Sequence, residues 1–201
     1  MRTLTVVVAA LALVGPPALA SSEEAEHREH DAHVHGVATM NLAVGDHEVA
    51  VELETPAMNI LGFEHPPRKE ADHQAVKDAV ASLQRGEEWL ILTPAAGCRL
   101  ETARVESALL DSAEHEEQEE HGDHEEHEDE HAHDENHDDT HSEFHVSYVF
   151  YCDNPGELNA VQVNWFEGFP GMEKIELQAV TESRQIGGEL TPDQTVIELK
   201  E

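Results

Sequence analysis

The chain has 201 residues and carries 44 acidic against 11 basic side chains, a formal charge of −33 at pH 7 with histidine neutral. That balance excludes nucleic acid and anionic membrane as partners, since both demand a basic face, and it makes a cation the natural counter-charge. No apolar run approaches the length of a membrane span, so no membrane insertion is expected.

Residues 1–20 read as an export signal. Arg2 supplies the basic start, Leu4 to Val14 the apolar stretch, Pro16 and Pro17 a helix break, and Ala18-Leu19-Ala20 a small-x-small cleavage site. Cleavage is expected after Ala20, which makes the mature protein an exported one. Residues 21–31 are acidic and polar, with His27 and His30, and read as a flexible tail. Residues 32–201 are expected to form a single α+β domain, an antiparallel sheet with one main helix, interrupted over 113–142 by a disordered His/Asp/Glu-rich loop.

In chain order, two alternating runs from Ala38 to Leu53 flank Gly45-Asp46, a pair suited to a two-residue hairpin turn. Pairing across that turn sets Leu42 against Val49, Met40 against Val51 and Ala38 against Leu53, on one apolar face. If the strand runs back to His33, then His33 and His35 share its polar face. Val76, Val80 and Leu83 recur at helical spacing, predicting a helix over Arg68–Gln84 that Gly86 stops. Trp89 to Leu92 is a short apolar run of either type, and Arg99 to Leu110 a strand with imperfect alternation that suits a bulge. Phe144, Val146, Tyr148, Phe150 and Cys152 alternate cleanly with Glu143, His145, Ser147, Val149 and Tyr151 and give the best strand in the chain. Ala160–Trp165, Lys174–Val180 and Thr195–Leu199 complete the strands, with Asn154-Pro155-Gly156 and Gly187-Gly188 as turns. The two cysteines, Cys98 and Cys152, would meet an oxidising compartment and are expected to form a disulfide.

The chemistry is concentrated in the insert. Between Ala113 and Ser142 there is no lysine or arginine, and His115, His121, His124, His127, His131, His133, His137 and His141 punctuate a run of carboxylates, with His145 just beyond. Such a segment cannot bury enough apolar surface to offset its ordering entropy. Imidazole and carboxylate are the nitrogen and oxygen ligands that Zn²⁺ accepts, and imidazole also suits Ni²⁺ and Cu²⁺. His127 and His131, then His133, His137 and His141, stand four apart, so each group would share one face of a helix nucleated by a bound ion. At three or four ligands per ion the loop has room for roughly two to three ions. An acidic linker that only solubilises would have no need of histidine at every third or fourth place. His127-Glu128-Asp129-Glu130-His131 formally matches the H-E-x-x-H pattern of zinc hydrolases. That pattern needs a helix packed on an apolar face, however, and every neighbour here is charged. No nucleophile elbow or phosphate loop is present, so an enzyme is not expected.

Two further groups stand outside the insert. His33 and His35, two apart, could chelate one ion, and His145 could join them if the two strands were neighbours. Glu64 and His65 offer another ligand pair in what otherwise reads as a structural loop entering the helix.

Taken together, His33-Val34-His35-Gly36, Glu52 to Asn59 running into Gly62-Phe63-Glu64-His65, Cys98, the His-rich insert, Phe144 to Cys152, and Phe169 to Ile175 resemble the ZrgA family over nearly the whole mature chain. These are zinc-regulated periplasmic proteins of Gram-negative bacteria. The resemblance implies a zinc-binding accessory made under zinc scarcity and linked to a high-affinity ABC zinc importer. It also implies that His33, His35 and the insert histidines stand where the family carries its own. The chain lacks the two-lobed architecture of such an importer's solute-binding protein, so it reads as that protein's partner or as a zinc buffer.

Overall fold

The computed structural model describes residues 34–110 and 142–200. The leader, the tail, His33 and the histidines from His115 to His141 lie outside the described residues.

The first hairpin joins β1 (Val37–Val44) to β2 (Glu48–Pro56), both alternating buried and open positions. Its register pairs Leu42 with Val51, Met40 with Leu53 and Val44 with Val49. The expected pairing is therefore displaced by two residues, because the turn is centred on Asp46-His47 instead of Gly45-Asp46, with Gly45 N donating to Glu48 O at 2.9 Å. A slip of two preserves every side chain's face, so the apolar side is unchanged.

After β2 come α1 (Ala57–Leu61) and α2 (Glu70–Leu83). α2 buries Val76, Ala79 and Leu83 along one stripe, and Glu70 and Asp72 in its first turn complement the helix dipole. α2 spans Glu70–Leu83 with Gln84 as its cap, against the expected Arg68–Gln84, and Gly86 just beyond it opens the one-turn α3 (Gly86–Trp89) leading into β3 (Leu90–Leu92). β4 (Cys98–Glu106) follows, with its register shifting between Leu100 and Thr102, in keeping with the imperfect alternation. The chain re-enters as β5 (Glu143–Cys152), then β6 (Ala160–Val163), β7 (Lys174–Val180), β8 (Gln185–Leu190) and β9 (Val196–Glu198). β8 has no counterpart among the expected strands. Gly187 and Gly188 lie inside it, opposite Gln178 and Leu177, and the turn falls earlier, where Thr181 N donates to Arg184 O.

The fold is α+β, as its alternation patterns imply. The main sheet has six strands in the order β4-β5-β2-β1-β7-β8, and a second has three, β3-β6-β9. Every pairing is antiparallel except β1 with β7, which run parallel. One face of the six-stranded sheet is the core face, contributed by Met40, Leu42, Val51, Leu53, Phe144, Val146, Tyr148, Phe150, Ile175 and Leu177. Tyr148 ties α2 to it: its hydroxyl donates to Leu83 O at 2.5 Å, and burial pushes its pKa far above the ordinary phenol value. Cys98 and Cys152 face each other at one end of the β4–β5 pair and are joined by the expected disulfide. No described helix is long and apolar enough to cross a membrane.

Candidate metal centre

Strand directions bring the chemistry to one end of the main sheet. The starts of β1, β5 and β7 and the ends of β2 and β4 all lie there, since Val37 pairs with Lys174, Thr39 with Glu54, and His145 with both Glu54 and Glu106. The connection 111–141 leaves after β4 and returns into β5, so the insert is rooted at this end. Ala57 N donates to Ser142 O at 2.8 Å and fixes the point of return.

His35 stands at the corner of this end. It lies in a turn before β1, and β1 begins only at Val37, so the expected strand placement of His33 and His35 on one polar face does not hold for His35. The turn is held by Asn59, which is buried in α1. Gly36 N donates to Asn59 Oδ1 at 2.7 Å, and Asn59 Nδ2 donates to Val37 O and to Thr55 Oγ1, both at 3.0 Å. Gly36 has φ +84°, a left-handed backbone that a side chain would strain, and the Glu173 side chain packs directly over its Cα. Glu173 N and Lys174 N both donate to Gly36 O. Gly171 completes the corner, since a Cβ there would lie 2.8 Å from Asn59 O. The blocks around residues 34–36, 52–65 and 169–175 thus meet in space.

The result for chemistry is a histidine–carboxylate contact: His35 Nε2 lies 3.2 Å from Glu64 Oε1, with the imidazole half exposed and the Glu64 side chain only 10% exposed. His65 does not join it in the way the Glu64-His65 pair suggests. Its Nδ1 hydrogen-bonds Pro66 O at 2.8 Å and its ring stacks on Phe63.

His145 forms a second group on the open face of the sheet. Its Nε2 donates to Glu143 Oε1 at 2.8 Å, and its Nδ1 lies 3.5 Å from Glu54 Oε1 on the adjacent strand. The sheet order separates it from His35: β2 lies between β5 and β1, a spacing of about 10 Å. The single site joining His145 to the H-x-H strand is therefore not formed by adjacent strands. The row that His145 shares runs Glu106, His145, Glu54, Thr39, Glu176, Glu189 across the sheet. At its far end Lys174 bonds Glu176 at 2.8 Å and Glu189 at 3.0 Å, contacts that raise the lysine pKa. At the near end Arg104 lies 3.8 Å from Glu106. Among the described residues no three His, Cys, Asp or Glu side chains already converge on one metal position.

The ZrgA family of zinc uptake proteins matches residues 32–199, a span that includes both histidine–carboxylate groups and the insert. The chain belongs to this family. Its role is accordingly tied to zinc. No curated protein matches the chain.

The sequence singles out His35 and His145 without their carboxylates. Glu54 and Glu143 can be placed on the polar face with His145 by alternation alone, but only the β2–β5 pairing shows that Glu54 and His145 are neighbours. Glu64 is visible in sequence beside His65, and the partner it meets is His35 instead. Asn59 and Glu173 carry no local signal, because their importance lies in contacts with a segment more than twenty residues away.

Proposed function

We propose that this member of the ZrgA family captures Zn²⁺ in the periplasm and holds it reversibly for a high-affinity ABC importer, without catalysing a reaction. The observation that carries the reading is the density of imidazole and carboxylate in residues 114–141, eight histidines among them, in a connection rooted beside His145, Glu143 and Glu54. The export-type leader and the Cys98–Cys152 disulfide support an oxidising compartment outside the cytoplasm. His35 and Glu64 supply a more ordered group at the same end of the sheet. Zinc is the cargo, so weak and numerous ligand sets are suitable: capture is fast and release remains within reach of a tighter acceptor.

Calorimetric titration of metal-free mature protein with zinc tests this beside a variant lacking residues 114–141. The intact chain is expected to bind several ions, about two to three of them lost with the segment. Indistinguishable isotherms would remove the insert from the mechanism. Because imidazole ligates only when neutral, zinc retention is expected to fall as pH drops through about 6.5. The sign is fixed by competition between proton and metal for the same lone pair. Zinc counted after desalting at a series of pH values checks it, and retention that is flat down to about pH 5 would argue for carboxylates alone.

A further inference from the structure

We propose that Glu143, His145 and Glu106 form an ordered zinc site of their own at the root of the insert, with Glu54 orienting the imidazole. The inference rests on the zinc-capture reading and identifies one site within it.

The two nitrogens of His145 have different partners. Nε2 and Glu143 Oε1 stand 2.8 Å apart, a hydrogen bond with one proton between them. Zinc takes imidazole nitrogen at about 2.0–2.1 Å and carboxylate oxygen at about 2.0–2.2 Å, so two tetrahedral ligands sit roughly 3.3 Å apart. Opening the pair by about half an ångström, a small side-chain rotation, lets the ion replace that proton. The other nitrogen, Nδ1, already faces Glu54 Oε1 at 3.5 Å. A metal-bound histidine generally gives its second N–H to a carboxylate, which fixes its tautomer and raises its basicity. Glu54 is placed to accept that N–H.

A third ligand comes from β4. Glu106 is directly opposite His145 in the register, and side chains facing each other across antiparallel strands have Cβ atoms about 4.5–5.5 Å apart, so its carboxylate can reach the same ion. Arg104, at 3.8 Å, holds it only loosely. Water completes the shell, because the His145 side chain is 44% exposed. β5, which carries Glu143 and His145, and β2, which carries Glu54, are interior strands of the six-stranded sheet, so these side chains sit on backbone fixed on both sides, while Glu106 ends the edge strand β4 and is held through its pairing with β5. The site accordingly differs in kind from a ligand set that must be ordered by the ion it binds.

The test uses the full mature chain. Equilibrium dialysis against buffered zinc counts bound ions in the unaltered protein and in His145→Asn, Glu143→Gln and Glu54→Gln, with His73→Gln as a control remote from the site. His145→Asn and Glu143→Gln are each expected to lose one ion. Glu54→Gln is expected to keep the count and weaken that ion about tenfold, the usual effect of losing an outer carboxylate. Histidine-ring ¹H–¹⁵N correlations of the unaltered chain provide a readout independent of any variant's folding: the His145 Nε2 resonance should take on the shift of a metal-bound nitrogen as zinc is added. If the chain binds zinc while the His145 resonances stay fixed and His145→Asn keeps the full count, this site is wrong and zinc capture stands. If the unaltered chain binds no zinc, both fall.

Discussion

Replacing Asn59 with alanine is expected to destabilise the fold by about 3 kcal/mol and to loosen the His35 corner with it. Asn59 is 2% exposed and makes three hydrogen bonds, to Gly36 N, Val37 O and Thr55 Oγ1. Truncation orphans a buried donor and a backbone acceptor, each a loss of about 1–3 kcal/mol, while the Thr55 hydroxyl can rotate to another partner. Asn59→Asp separates the contributions. It keeps the acceptor for Gly36 N but sets a second carboxylate oxygen against Val37 O and brings a charge into a buried site, so its loss should exceed that of Asn59→Ala. Urea unfolding of both variants, with the disulfide intact, measures the difference. A cost below about 1 kcal/mol for Asn59→Ala would mean that the Gly36 turn is held by Glu173 and Lys174 instead. The second readout is functional: since Asn59 fixes the backbone on which His35 meets Glu64, the zinc step that depends on His35 should weaken even where the protein remains folded.

How far this corner and its neighbours can be read in advance follows from what local sequence encodes. Alternation in Phe144 to Cys152 marks a strand with one buried face, and the helical spacing of Val76, Val80 and Leu83 marks a helix. Both signals are internal to a segment, and both elements are legible. Register is not internal. The β1–β2 pairing is displaced by two because a two-residue turn centred on Gly45-Asp46 and one centred on Asp46-His47 serve the same alternating runs equally well, and either keeps Met40 and Leu53 on the core side. β8 is hidden because Gly187-Gly188 carries the composition of a turn. In the fold it is an edge strand whose glycines need no side chain to pack. The chemistry divides along the same line. The insert declares itself by composition, whereas the pairing of His145 with Glu54 depends on β2 lying beside β5, which is tertiary information. Without it nothing forbids His35 and His145 from being neighbours, and the intervening β2 is what separates them.

Loss of the disulfide is the largest single effect expected. Cys98 and Cys152 are 54 residues apart, and closing a loop of that length contributes about 4 kcal/mol through the restricted unfolded chain. For a domain of this size that corresponds to a fall in Tm of roughly 8–16 °C. The Cys98→Ser/Cys152→Ser double variant, compared by thermal unfolding with the intact protein, measures it. The position of the bond explains why so much rests on it. β4 is an edge strand held to the sheet by β5 alone, and the link between them is the long charged connection 111–141 instead of a tight turn. A connection of that length holds the pair weakly in register. The disulfide pins the opposite end, beyond the bulge between Leu100 and Thr102. One consequence can be checked with the chain lacking residues 114–141. The deletion removes 28 residues and shortens the closed loop from 54 to 26, so the disulfide's contribution should drop by about 0.6 kcal/mol, the increment for halving a loop. A contribution that is unchanged or larger in the shortened chain would show that the bond acts on the folded state, by holding β4 against β5, and not through the entropy of the unfolded one.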